Sequence, residues 1–154
     1  MKDIYDPSSF KSEIFRKNKK VLEGLDLSSD SVVIDLGFHR GEELFYFDKI
    51  GCEVHAFETN VAHYDAIKKK YEGNDRVHLY NAAAWIEDCE ITMYSKKNSP
   101  LGSQSAVVYK TNIDKSKKSV VRAIDMGNFV LGLKKKIDLV KMDIEGVEYD
   151  VIER

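Results

Sequence analysis

Four stretches of this sequence carry residue types able to do chemistry, and they fall at the ends of short apolar runs. The first is Asp35-Leu36-Gly37-Phe38-His39-Arg40-Gly41-Glu42. Gly37 can turn sharply and let a ligand approach the backbone. A helix N-terminus behind such a turn offers free N–H groups to a carboxylate or phosphate. The glycines stand as G-x-x-x-G, whereas the pyrophosphate-binding dinucleotide turn is G-x-G-x-x-G. Asp35 and Glu42 would repel a diphosphate and would suit a cationic amino group. The second stretch, Glu58-Thr59-Asn60, places a carboxylate about 20 residues on, where it can accept hydrogen bonds from both hydroxyls of a ribose. A solvated strand-end charge is the plainer reading of Glu58. The third stretch is Asn81-Ala82-Ala83 and the fourth Asp143-Ile144-Glu145-Gly146. Asp143 and Glu145 either face a ligand or cap helix N–H groups, and two carboxylates are too few to define a cation site. His39 either faces the ligand or bonds its own loop. His55, His63 and His78 have no partners at ligand spacing along the chain and read as ordinary core or surface residues, so no metal site is expected.

These stretches matter only if one scaffold gathers them. Residues 7–25 read as an amphipathic helix, with Phe10, Ile14, Phe15, Val21, Leu22 and Leu25 on one side. Asp6-Pro7 is a plausible start. Val32-Val33-Ile34-Asp35-Leu36 is a short apolar run of the kind a strand shows when buried on both faces of a parallel sheet. A helix over 41–50 ends at Gly51, a second strand covers 53–57, Asn60 caps a helix carrying Val61, Tyr64, Ile67 and Tyr71, and a third strand covers 76–80. This βαβαβ rhythm predicts a doubly wound, mostly parallel α/β domain with right-handed crossovers. Ligands of such sheets bind at the carboxyl ends of the strands, where the strand order reverses. After Ala84 the rhythm breaks: 89–95, 105–109 and 119–124 read as a short antiparallel insertion. A short helix over 125–134, a fourth core strand over 137–143 and a last helix from near Glu145 follow.

Composition narrows the class further. The 154 residues are enough for one domain with a core and too few for two ordinary ones. Hydrophobic residues at 43% fit a folded globular chain, and a net charge of −2 argues against a domain held to nucleic acid by its total charge. No apolar run reaches the ~20 residues of a membrane span. Only Cys52 and Cys89 occur, which excludes a disulfide framework and makes a reducing, cytoplasmic compartment the simplest reading. Charge is unevenly placed: residues 96–122 hold Lys96, Lys97, Lys110, Lys115, Lys117, Lys118 and Arg122 against Asp114 alone. That basic segment is either a solvated loop, with its flexible part at 100–103, or an attractor for an anionic partner such as a nucleotide-sugar or glycan.

VVIDLGFHRGEEL, AFETN, NAAAW, AIDMGNFV and IDLVKMDIEGVEYDVI, in this order and spacing, resemble the FkbM family of S-adenosylmethionine-dependent methyltransferases over roughly residues 30–154. K-M-D-I-E-G-V-E is the most specific of these motifs. Phe38 and His39 stand where the family usually has Ala and Asn, and Thr59 stands where proline is frequent. The resemblance implies a Rossmann-like class I methyltransferase domain spanning 1–154. Its parts are an N-terminal helix and turn (7–29), a cofactor-binding βαβαβ core (30–84), an insertion (85–124), and a helix, fourth core strand and start of a last helix (125–154). It implies S-adenosylmethionine as cofactor. The Gly37–Gly41 loop, with Phe38, His39 and Arg40, would pass along the methionine part, and Asp35 or Glu42 would lie near its ammonium. Glu58 and Thr59 would stand at the ribose, and Asn81, Ala82 and Ala83 would border the adenine. Asp143 would face the methyl group and the substrate. The implied reaction is O-methylation of a sugar, glycan or secondary metabolite, with Asp143, Glu145 or His39 taking the hydroxyl proton. A non-catalytic cofactor-binding or assembly module is the alternative, and a nicotinamide dehydrogenase is opposed by the missing G-x-G-x-x-G. The family pattern continues past this point, so a C-terminally incomplete sheet is expected, completed by a longer chain or a second copy.

Overall fold

The chain divides its strands between two sheets. In the computed structural model, which describes residues 18, 20–96, 104–106 and 113–154, the elements run in this order: β1 (Val32–Leu36), α1 (Glu42–Ile50), β2 (Glu53–Phe57), α2 (Val61–Lys70), β3 (Val77–Tyr80), β4 (Ala83–Trp85), β5 (Cys89–Lys96), β6 (Gln104–Ala106), β7 (Ile113–Asp125), α3 (Met126–Leu133), β8 (Leu139–Met142) and α4 (Glu148–Ile152). The first sheet has the order β3-β2-β1-β8, and every pair in it is parallel. The second has the order β4-β7-β5-β6. Among the described residues, no helix is long and apolar enough to cross a membrane.

β1 is buried along its whole length, as an apolar central strand of a parallel sheet must be. Its alternating side chains feed two cores. Val33 joins Val54, Leu44, Phe47 and Ile67 under α1 and α2. Ile34 and Leu36 join Phe57, Met126 and Val151 under α3 and α4. Asn60 caps α2 as its position suggests, with its side-chain oxygen accepting from the N–H groups of Ala62 and His63. The chain moves outward from β1 through β2 to β3, leaves for the second sheet, and returns with β8 on the other side of β1. The strand order therefore reverses between β1 and β8, where an open α/β sheet binds its ligands.

Three expectations change. The second sheet is mixed rather than purely antiparallel: β5 pairs antiparallel with β6 and β7, but β4 runs parallel to β7. β4 itself begins at Ala83, inside the stretch read as a loop after the third strand. The last helix starts at Glu148, not near Glu145, because Glu145 (φ 66) and Gly146 (φ 107) both take left-handed backbone. Glu148 stabilises this turn by accepting from the N–H groups of Ile144 at 3.2 Å and Gly146 at 2.8 Å. Residues 7–17 and 19 of the expected first helix, and 97–103 and 107–112 of the basic segment, lie outside the described residues. Of that helix, residues 18 and 20–22 are seen as helical.

Gly37 is fixed by two constraints at once. Its φ is +84, and a Cβ added there would overlap the backbone carbonyl oxygen of Asp143 at the end of β8. Gly73 has nearly the same φ, +83, with nothing near its missing Cβ. Gly73→Ala should therefore cost only the left-handed strain, about 1 kcal/mol. Gly37→Ala adds an overlap with rigid backbone and should cost about 2–4 kcal/mol. Urea unfolding of the two variants side by side measures the difference.

Candidate functional site

The end of β1 is fastened to the end of β2. The N–H groups of Gly37 and Phe38 both donate to the carbonyl of Phe57, at 2.9 and 3.1 Å. One step further on, the carboxylate of Glu58 receives the N–H of His39 on one oxygen and the N–H of Asn60 on the other, each at 2.8 Å. Asn81 donates its side-chain amide to the Glu58 carbonyl at 2.7 Å. Glu58 is thus a nearly buried acid held in one orientation, and each carboxylate oxygen keeps a second acceptor position.

The β1–β8 junction is built around Lys141. Parallel register sets Lys141 opposite Asp35. Its ammonium lies 3.1 Å from Asp35 Oδ1 and donates to the Gly37 carbonyl at 2.7 Å. Asp35 is fully buried, and its Oδ2 has no hydrogen-bond partner among the described residues. Burial pushes the Asp35 carboxyl up to about 6, against the pull of Lys141. Burial also opposes the charge on Lys141, but Asp35, Glu43 and Asp143 outweigh it and hold the ammonium above its ordinary value. Both groups are therefore charged at neutral pH.

Between these fastenings lies a cleft of about 360 Å³, within the ~300–1,000 Å³ of small-molecule sites. The structure brings Gly37, Phe38, His39, Arg40, Glu42, Glu58, Thr59, Ala82, Ala83, Asp143 and Glu145 to its walls. Asp35, Gly41 and Asn81 do not line it. Asp35 sits behind the wall with Lys141, and Asn81 acts on the Glu58 backbone. A Cβ at Gly41 would press on Ile67 rather than reach into the cleft. Phe38 is 1% exposed and belongs to the core under α1. His39, at φ 50, sets its ring 4.4 Å from that of His63. Burial, with His63 adding, lowers its pKa, so the imidazole is neutral at pH 7. Arg40 pairs with Glu42 at 2.8 Å, while its buried Nε has no hydrogen-bond partner among the described residues.

Sequence reading missed Lys141 and Glu43 on the sheet side, and Trp85, Ile91 and Met93 on the second-sheet side of the cleft. The signal for Lys141 was its place two residues before Asp143 in K-M-D, where strand alternation puts both side chains on one face.

The parallel sheet thus gathers a carboxylate at the end of β2, a glycine turn after β1 and an acidic strand end at β8 around one cleft. Residues 35–154 match the Methyltransferase FkbM domain, and the chain belongs to that family. No curated protein and no solved structure matches it.

The unfolded chain releases the Asp35 proton near pH 3.8 and the folded protein near 6, so between these values only the native state holds it. The stability that Asp35 contributes by this route is present below about pH 4 and lost as pH rises through 6. Between about pH 4 and pH 7, wild type should lose on the order of 3 kcal/mol relative to Asp35→Asn. Urea unfolding of both proteins at the two pH values checks this.

Proposed function

We propose that the chain is an S-adenosylmethionine-dependent O-methyltransferase of the Rossmann-like class I type, acting on a hydroxyl of a sugar, glycan or secondary metabolite. The observation that carries this reading is Glu58, an acid locked by two backbone amides yet lining the cleft with acceptor capacity to spare. The donor set suits the cofactor. Glu58 would hold the ribose hydroxyls, and Ala82, Ala83 and Phe57 offer an apolar wall to the adenine. Arg40, whose Nε has no hydrogen-bond partner among the described residues, suits the methionine carboxylate. Of the two acids considered for the ammonium, Glu42 lines the cleft and Asp35 does not, so Glu42 takes that role. When bound, the cofactor supplies a methyl group on a positively charged sulfur.

The chain's own residues then orient the acceptor and move its proton. An alcohol is a poor nucleophile until its proton departs. Asp143 is exposed to the cleft while its backbone is pinned, its N–H donating to Leu36 at 2.9 Å and its carbonyl packed against Gly37. A carboxylate that faces a ligand from a fixed backbone is placed to accept the hydroxyl proton as attack proceeds. Neutral His39, which also lines the cleft, is the second acceptor of a proton there. Such positioning contributes several kcal/mol of rate enhancement.

Calorimetric titration with the cofactor, followed by a turnover assay over a panel of hydroxylated acceptors, tests the reading. Glu58→Ala should weaken cofactor binding about 10–100-fold, the worth of hydrogen bonds to a charged group. Asp143→Asn should leave binding within a few-fold and lower kcat about 10²–10⁴-fold. Absence of cofactor binding by folded protein would refute the proposal. Binding with no turnover on any acceptor would favour the non-catalytic module instead.

A further inference from the structure

The sheet face that packs under α3 carries a second polar group. Glu53 opens β2, and His55 follows two residues later on the same face. Parallel register sets His78 of β3 beside His55. The outcome is a convergence the linear spacing hides. His55 Nε2 lies 3.1 Å from Glu53 Oε1, His78 Nε2 lies 3.8 Å from the same oxygen, and one ligand atom from each residue falls within 4.8 Å of the other two. Ligands about 2.0–2.1 Å from a tetrahedral zinc ion are separated by about 3.3–3.4 Å, so small side-chain shifts bring all three into range. The expectation that these histidines lack partners at ligand spacing is thereby corrected.

The surroundings resemble those of a metal site more than those of a casual cluster. His55 Nδ1 lies 3.1 Å from the Tyr80 hydroxyl. Without an ion, His55 donates from Nε2 to the Glu53 carboxylate and accepts the Tyr80 hydroxyl at Nδ1. On metal binding the ring proton moves to Nδ1, which then donates to Tyr80, as an outer hydrogen bond orients a ligating imidazole. A cation already sits at the carboxylate: Lys135 Nζ is 2.7 and 2.6 Å from the two Glu53 oxygens. Lys135 and His78 are 48% and 39% exposed at their side chains, which opens the group to solvent ions.

We propose that Glu53, His55 and His78 form a binding site for a zinc-class divalent transition-metal ion, which competes with Lys135 for the Glu53 carboxylate and leaves a fourth position for water. Two histidines and one glutamate are a ligand set that zinc takes. The ion would clip β2 to β3 at the amino end of the sheet, away from Glu58 and the cleft, so the site stands or falls apart from methyl transfer.

The test uses the whole chain without a histidine tag, cleared of metal by a chelator. Zn²⁺ is titrated in competition with a chromophoric chelator, and Co²⁺ is followed by its visible absorption. One ion per chain at micromolar or tighter affinity is expected, with the absorption of a tetrahedral nitrogen–oxygen site. His78→Ala, at a partly exposed position that should not unfold the protein, should weaken binding at least about tenfold. Lys135→Ala should strengthen it by removing the competitor, and Asp143→Asn should leave it unchanged. Absence of micromolar binding, or binding that His78→Ala does not weaken, overturns the site. An affinity unmoved by Lys135→Ala overturns the competition.

Discussion

The carboxyl end of the parallel sheet depends on how closely β1 and β8 finish against each other. Gly37 gives up a side chain so that the Asp143 carbonyl can lie against it. Lys141 then ties the same junction from below, bonding the Gly37 carbonyl and pairing with a fully buried Asp35. Desolvating two charges is expensive, and such a pair adds little net stability over apolar packing. Its value here is positional. An apolar pair in its place would leave the Gly37 carbonyl without the Lys141 donor.

Electrostatics follow from that geometry. The cleft gathers Glu42, Glu43, Glu58, Asp143 and Glu145, with Arg40 and Lys141 as the cations among its walls. Lys141 is already engaged by Asp35 and the Gly37 carbonyl. An acid-rich concavity with low-dielectric walls raises the local concentration of positively charged ligands. This suits a molecule bearing an ammonium and a sulfonium, and it suits a dinucleotide poorly.

Much of this was legible in the sequence, for local reasons. β1 is an uninterrupted apolar run, Asn60 is a side chain that caps, and Gly51 ends α1 with φ 92. Each of these is decided within a few residues. The glycine turn and Glu58 were legible too, because both sit directly after such strands. What escaped notice depends on distant neighbours. Asp35 and Lys141 meet only once β8 is known to lie beside β1, and Glu53, His55 and His78 meet only through the β2–β3 register. β4 is three residues of Ala-Ala-Trp, too short to carry a period, and its pairing with β7 creates it. The start of α4 escaped because Glu145 takes left-handed backbone, which glycine normally supplies.

Only Asn81 and Ala82 separate the end of β3 from the start of β4. The chain crosses there from one hydrogen-bonded ladder to another, and the walls of the cavity draw on both frameworks. Trp85, Ile91 and Met93 belong to one, whereas Glu58 and Asp143 belong to the ends of the other. Substitution of Trp85, Ile91 or Met93 can thus recontour the second-sheet part of the chamber while leaving the Glu58 and Asp143 part in register.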